Sequence, residues 1–163
     1  MAKIEKAHAM RVLEARGIEY SATVYDASGA FHSGEEAAAL VGAPPDAVYK
    51  TLVVMREGVP HARPLLVMVP SALQLDLKLL AKATGDKKLR MATQREAERL
   101  TGMQAGGISA LGLRRPGFAI MLDERARSLD RIHISAGVRG VDIELRVDDL
   151  VAVTGARFVS ATA

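Results

Sequence analysis

The chain has 163 residues, enough for one domain with a single hydrophobic core, and 49% hydrophobic with 25% charged residues is a globular balance. Twenty-two Lys and Arg against nineteen Asp and Glu leave a net charge of +3, too little to coat nucleic acid by phosphate neutralisation alone. No cysteine is present, which excludes disulfides, thiolate nucleophiles and zinc–thiolate sites.

Trp is absent and aromatics total 4%, so the core is expected from Leu, Val, Ile, Ala and Met. The first nine residues carry Lys3, Glu5 and Lys6 without an apolar segment, and no run is long enough to cross a bilayer. The chain reads as a soluble, cytoplasmic protein with residues 1–163 forming one domain. Ile4 to Arg16 predicts a helix, with Ile4, Ala7, Met10 and Leu13 on one face and Gly17 as its stop. Ile18 to Tyr25 alternates as a strand, and Asp26 to Ser33 is a polar loop. Glu35 to Val41 is a short Ala-rich helix closed by Gly42, and Pro44-Pro45-Asp46 opens a turn.

Thr51 to Met55 and Leu65 to Val69 are apolar strands joined through Glu57-Gly58, which predicts a hairpin. Asp76 caps a helix through Ala83 that ends at Gly85. Thr93 and Glu96 have capping-box spacing for a helix to Leu100. Phe118 to Leu122, Arg131 to Ser135 and Val141 to Leu145 read as strands, Asp148 to Val153 as a helix, and Arg157 to Ser160 as a last strand. Strands outnumber helices and pair as hairpins without βαβ alternation. The fold class is therefore α+β, with a mixed, partly closed, barrel-like sheet surrounded by helices.

Three segments place small or charged residues where core packing does not ask for them. In Val48 to Leu52, Lys50 offers a compact ammonium beside Thr51 at a strand mouth, either as a phosphate anchor or as a solvated strand end. In Gly106 to Gly112, Gly106 and Gly107 precede Ser109 and allow backbone N–H groups to converge on an oxyanion, or else form an ordinary loop. In Ser135 to Leu145, a glycine turn gathers Ser135, Arg139 and Asp142, as a site or as an outward-facing hairpin, with Asp142 and Glu144 on one strand face. The four histidines are scattered, without metal-ligand spacing, and His133 alternates with Ile132 and Ile134. No metal or cofactor is expected. The basic runs Lys82 to Arg90 and Arg114-Arg115 are either solvated faces or contacts to an RNA backbone.

VYKTLVV (48–54), LDLKLLAKATGDKKLRMA (75–92), TGMQAGGISALG (101–112) and SAGVRGVDIEL (135–145), in that order and spacing, resemble the YbaK/EbsC family. These are free-standing relatives of the editing domain inserted in bacterial prolyl-tRNA synthetases, and the chain is most similar to the branch that deacylates cysteinyl-tRNA(Pro). The resemblance implies a pocket for the aminoacylated 3′ end of tRNA, with Lys50 holding the terminal nucleotide and Gly106 and Gly107 clasping the aminoacyl group. It implies Tyr25, Ser135 and Asp142 as pocket residues and Phe31 as the stand-in for a family aromatic. It also implies attack by the substrate's own thiol and a partnership with prolyl-tRNA synthetase. Ala110 departs from the family's Gly-Gly-x-Ser-Pro loop. The alternatives are a deacylase for alanyl-tRNA or another small mischarged amino acid, and a module that binds aminoacyl-tRNA or a nucleotide without cleaving it.

Overall fold

A computed structural model describes residues 7–26, 34–114 and 116–163. In chain order these form α1 (His8–Ala15), β1 (Ser21–Val24), α2 (Gly34–Val41), β2 (Tyr49–Arg56), β3 (Leu65–Pro70), α3 (Leu77–Thr84), β4 (Leu89–Met91), α4 (Gln94–Thr101), β5 (Ala119–Asp123), β6 (Arg131–Ser135), β7 (Val141–Arg146), α5 (Val147–Thr154) and β8 (Arg157–Val159). Among the described residues, no helix is long and apolar enough to cross a membrane.

Local chemistry sets most boundaries. Asp76 accepts hydrogen bonds from the N–H groups of Lys78 and Leu79, and α3 stops at Gly85 in the left-handed region. The Thr93 hydroxyl accepts from the Glu96 N–H while the Glu96 carboxylate takes the Thr93 N–H, completing the capping box of α4. Arg90 adds two hydrogen bonds to the same carboxylate and holds its pKa down to about 2.

Five strands form one sheet in the order β4-β2-β3-β5-β8, and three form another in the order β1-β7-β6. The β2–β3 pair is antiparallel, as the expected hairpin requires, whereas β3–β5 and β5–β8 are parallel. Central β3 is buried along its length and feeds both faces. Leu66 and Met68 enter the larger core, with Ile132, Ile134, Ile143 and Leu145 of the second sheet, whereas Leu65, Val67 and Val69 meet Leu80 of α3. A single parallel bridge, Val48 to His133, joins the two sheets. They stay open along the rest of that seam, so the barrel is only partly closed.

Strand β4, within the basic run, is absent from the sequence reading. Three residues at a sheet edge carry too little pattern to announce a strand, and its pairing with β2 at Val54 to Arg56 supplies what the pattern lacks. There Lys88 and Arg90 pair with Glu57, and Arg90 also with Glu96, so those two cations are engaged within the chain.

Thr93→Ala removes the cap of α4 and is expected to lower unfolding free energy by about 1 kcal/mol in chemical denaturation, with the helix start alone affected.

Candidate functional site

The cleft is a consequence of how β2 shares its outer edge. The Val48 C=O accepts from the Ser71 N–H on the β3 side, and the Val53 C=O accepts from the Ala92 N–H on the β4 side. Main-chain groups alternate edges along a strand, so Thr51, like Val53, turns its N–H and C=O to the outer edge. The ladder with β4 starts at Val54, with the Val53 hydrogen bond at its end, and the backbone bridge to β6 lies at Val48. Thr51 therefore faces the gap between the two neighbours.

A cleft of about 210 Å³ fills that gap, lined by Tyr25, Ala37, Val41, residues 48 to 52, Ser71, Gly106, Ile108, Ser135 and Asp142. Its wall is largely apolar with a few convergent polar groups, the usual character of a ligand site. The Tyr49 hydroxyl and Thr51 Oγ1 are buried without a hydrogen-bond partner among the described residues. Unsatisfied buried hydroxyls are costly, and two on one wall mark a place where a ligand can supply partners.

Lys50 is half-buried on the cleft wall, and burial alone pushes its ammonium below the usual lysine range. No ion pair to it occurs among the described residues. Asp142 lies on the same lining, buried in β7 opposite Ser135. Its carboxyl is pushed upward by burial, against the pull of a 2.7 Å contact from His133 Nδ1 to Asp142 Oδ2. Tyr25 closes the same end. Its phenol is pushed upward by burial and opposed by a hydrogen bond from the Gly140 backbone, so it stays neutral.

The structure thus gathers Tyr25, Lys50, Thr51, Gly106, Ser135 and Asp142 around one space. Three other sequence candidates fall outside the lining. Ser109 is fully buried, and its Oγ accepts from the Leu111 N–H, capping a short 3₁₀ turn at Ala110 to Gly112. Arg139 is exposed and packs over Gly106, where an added Cβ would stand 3.4 Å from its Nε. Gly107 sits behind the lining with its N–H donated to Gln104 C=O, which removes it as a backbone donor for an oxyanion. Phe31 lies outside the described residues, as do His32 and Arg115.

The sequence reading missed His133 and Glu144 as part of the site. His133 Nδ1 meets Asp142, and its Nε2 is 3.1 Å from Glu144 Oε2. A signal was present: His133 and Ser135 share a strand face, as do Asp142 and Glu144, and a hairpin turning at residues 136–140 lays one pair across the other. Ser135, His133 and Asp142 do not make a nucleophilic triad, because both ring nitrogens face carboxylates and neither is turned to the serine. Among the described residues, no grouping of His, Asp and Glu is arranged to hold a metal ion.

A family model described as an aminoacyl-tRNA editing domain matches residues 29–153. EbsC of Enterococcus faecalis, described as a candidate Cys-tRNA(Pro)/Cys-tRNA(Cys) deacylase, is 33% identical over 158 residues, 97% of this chain and 94% of that protein. A crystal structure of a candidate trans-editing enzyme for prolyl-tRNA synthetase superposes with a TM-score of 0.82 at 26% identity, covering 100% of this chain and 99% of that one. A hypothetical protein reaches the same TM-score at 23% identity, over 96% of this chain and 99% of its own, a likeness of fold alone.

The loop geometry makes its own demand. A Cβ at Gly107 would stand 2.8 Å from the Arg139 backbone nitrogen and 2.9 Å from the Val138 carbonyl carbon, so backbone must move to admit it. Gly107→Ala is expected to cost about 1–3 kcal/mol in stability, measured by thermal denaturation, as overpacked sites do.

Proposed function

The chain belongs to the aminoacyl-tRNA editing-domain family, and on that premise we propose that it removes cysteine from mischarged cysteinyl-tRNA(Pro). On this reading residues 1–163 act as one editing domain in the cytoplasm, in trans to prolyl-tRNA synthetase. The observation that carries the reading is the charge layout of the cleft. A half-buried cation, Lys50, and a buried carboxylate, Asp142, share a small apolar-walled space. The aminoacylated end of a tRNA has the complementary layout, with phosphate on the nucleotide and an α-ammonium on the amino acid.

Size narrows the class. At about 30 Å³ per water, the cleft holds roughly seven waters' worth of ligand. That suits a small aminoacyl group with its ribose at the mouth.

Among the described residues, no hydroxyl on the lining is hydrogen-bonded to a side-chain base, which favours attack from within the substrate. The cysteine sulfur attacks its own carbonyl carbon, the ester C–O bond breaks, and the tRNA oxygen leaves with a proton as a small cyclic thiolactone is released. A well-oriented intramolecular attack has an effective molarity of about 10⁵ M or more. The protein then has to bend the substrate and stabilise the oxyanion. With the Gly107 N–H committed to Gln104, that task falls to Gly106 and Ile108, both on the lining. One such donor is worth about 3–4 kcal/mol in acyl transfer. Lys50 anchors the nucleotide and takes no part in bond making.

Lys50→Ala is expected to abolish deacylation of cysteinyl-tRNA(Pro) while moving stability by about 0.5 kcal/mol or less, since no ion pair or hydrogen bond of the side chain occurs among the described residues. Activity and melting temperature measured on the same variant decide the point; a stable variant of near-normal activity returns Lys50 to the role of a solvated strand end. Lys50→Arg is expected to rescue poorly, because a planar fork does not replace a point charge.

If the substrate's thiol is the nucleophile, seryl-tRNA(Pro) is expected to react far more slowly than cysteinyl-tRNA(Pro) in single turnovers at equal occupancy. The two differ in one atom, and a hydroxyl is much the weaker nucleophile at neutral pH. Similar rates would exclude self-attack and leave water as the nucleophile.

A further inference from the structure

The histidine behind the cleft stands between two carboxylates. Nδ1 of His133 makes a 2.7 Å hydrogen bond with Asp142 Oδ2, and Nε2 lies 3.1 Å from Glu144 Oε2 as an ion-pair approach. A charged ring donates to Asp142 and is attracted by both carboxylates. With the ring charged, the three groups hold one proton more than a neutral ring and two carboxylates would.

The surrounding charges favour keeping that proton. On β7, Asp142 and Glu144 face the ring. On β6, Arg131 approaches Glu144 at 3.7 Å. Asp46 and Lys50 flank Val48, the residue bridged to His133, and neither shifts the ring. Tyr25 and Arg139 lie toward the far side of Asp142. The hydrogen bond to Asp142 is the largest influence on His133 and raises its pKa above the ordinary 6.5, against the effect of burial.

We propose that His133 is a positioning residue for editing, an imidazolium clamped between Glu144 and Asp142 that fixes the Asp142 carboxylate on the cleft wall. This rests on the reading of the cleft as an aminoacyl pocket in which Asp142 receives the α-ammonium. With the proton in place the cluster carries one net negative charge, and Asp142 has one oxygen held and the other available. When the proton leaves, the Nδ1 hydrogen bond to Asp142 loses its charge assistance, and the carboxylate is held less firmly toward the ammonium.

The sign of the pH dependence follows. A ring whose folded pKa is raised is fully charged below the unfolded value near 6.5, and the clamp is lost as pH rises through the folded value. His133→Gln mimics the neutral ring, since an amide presents one donor group and one acceptor and does not titrate. The measurement is the ratio of wild-type to His133→Gln single-turnover rates on cysteinyl-tRNA(Pro) between pH 6 and pH 9. The ionisation of the substrate's thiol is common to both proteins and cancels; loss of the α-ammonium proton also closes the ratio, and the shift produced by Glu144→Gln, which leaves the substrate unchanged, separates the two. The expected ratio is about tenfold at the acid end, the size of one charge-assisted hydrogen bond, closing to about one at the alkaline end.

Glu144→Gln leaves Asp142 in place and removes one carboxylate from the ring, so the pH at which the ratio closes is expected to fall. In the unmodified protein, nitrogen-15 NMR of the imidazole rings is expected to show both His133 nitrogens protonated at neutral pH, with a titration above that of the other histidines. A ratio that does not change with pH, or a His133 ring that titrates with the rest, overturns the proposal. A wild-type protein that cleaves no aminoacyl-tRNA removes the pocket reading and the positioning role with it, while the ring resonances still show whether the clamp exists.

Discussion

The structure turns on one shared strand edge. Its backbone bridge to β6 lies at Val48, just before β2, and the ladder of β2 with β4 starts at Val54. If β2 were paired along its whole outer edge, the two sheets would close and no space would remain between them. The gap at Thr51 leaves a main-chain donor and acceptor and a lysine at one cleft, with the buried Tyr49 and Thr51 hydroxyls in the strand beneath it. Unpaired strand edges are usually covered or charged to prevent aggregation. Here the edge is recessed between two sheets, which protects it from another protein and leaves it open to a small, extended ligand.

The same geometry separates support from chemistry. Each face of β3 anchors a different core, one between the sheets and one beneath α3, so the frame around the cleft is fixed from both sides. The cleft residues sit at the margins of that frame: the start of β2, the loop at Gly106, and the facing ends of β6 and β7. A site assembled from strand ends inherits their rigidity while exposing side chains that the core has no use for.

Much of this was legible before any coordinates. Asp76, Thr93 and Gly85 mark helix ends by chemistry that acts within a few residues, and those boundaries are observed closely. The apolar runs of β2 and β3 announced themselves for the same reason. What escaped depends on contacts between distant segments. Ser109 has the composition of a loop hydroxyl at a site, and only packing shows it fully buried as a turn cap. Gly107 looked interchangeable with Gly106. Its N–H is claimed by Gln104, and its missing side chain makes room for the backbone of residues 138 and 139. Asp142 read as a possible outward-facing strand residue, because no rule of alternation says which face of a hairpin a second sheet will cover.

The His133 cluster is the feature that stability alone does not account for. Burying charge is expensive, and a buried ion pair is often replaced by apolar residues without loss. Asp142 and His133 are both buried, and they stand at the edge of a core rich in Ile, Leu and Val, where a larger apolar pair would fit the surrounding pattern. Glu144 is half-exposed and shared with Arg131, so the chain places a second carboxylate where it strengthens the charge on the ring. An arrangement built for stability would neutralise Asp142 outright, for example with a direct arginine contact. This one holds the carboxylate through a ring whose own pKa is raised above its ordinary value, and leaves it on the wall of the cleft. That is the arrangement expected where an anion must be presented to a ligand in a fixed direction rather than hidden from it.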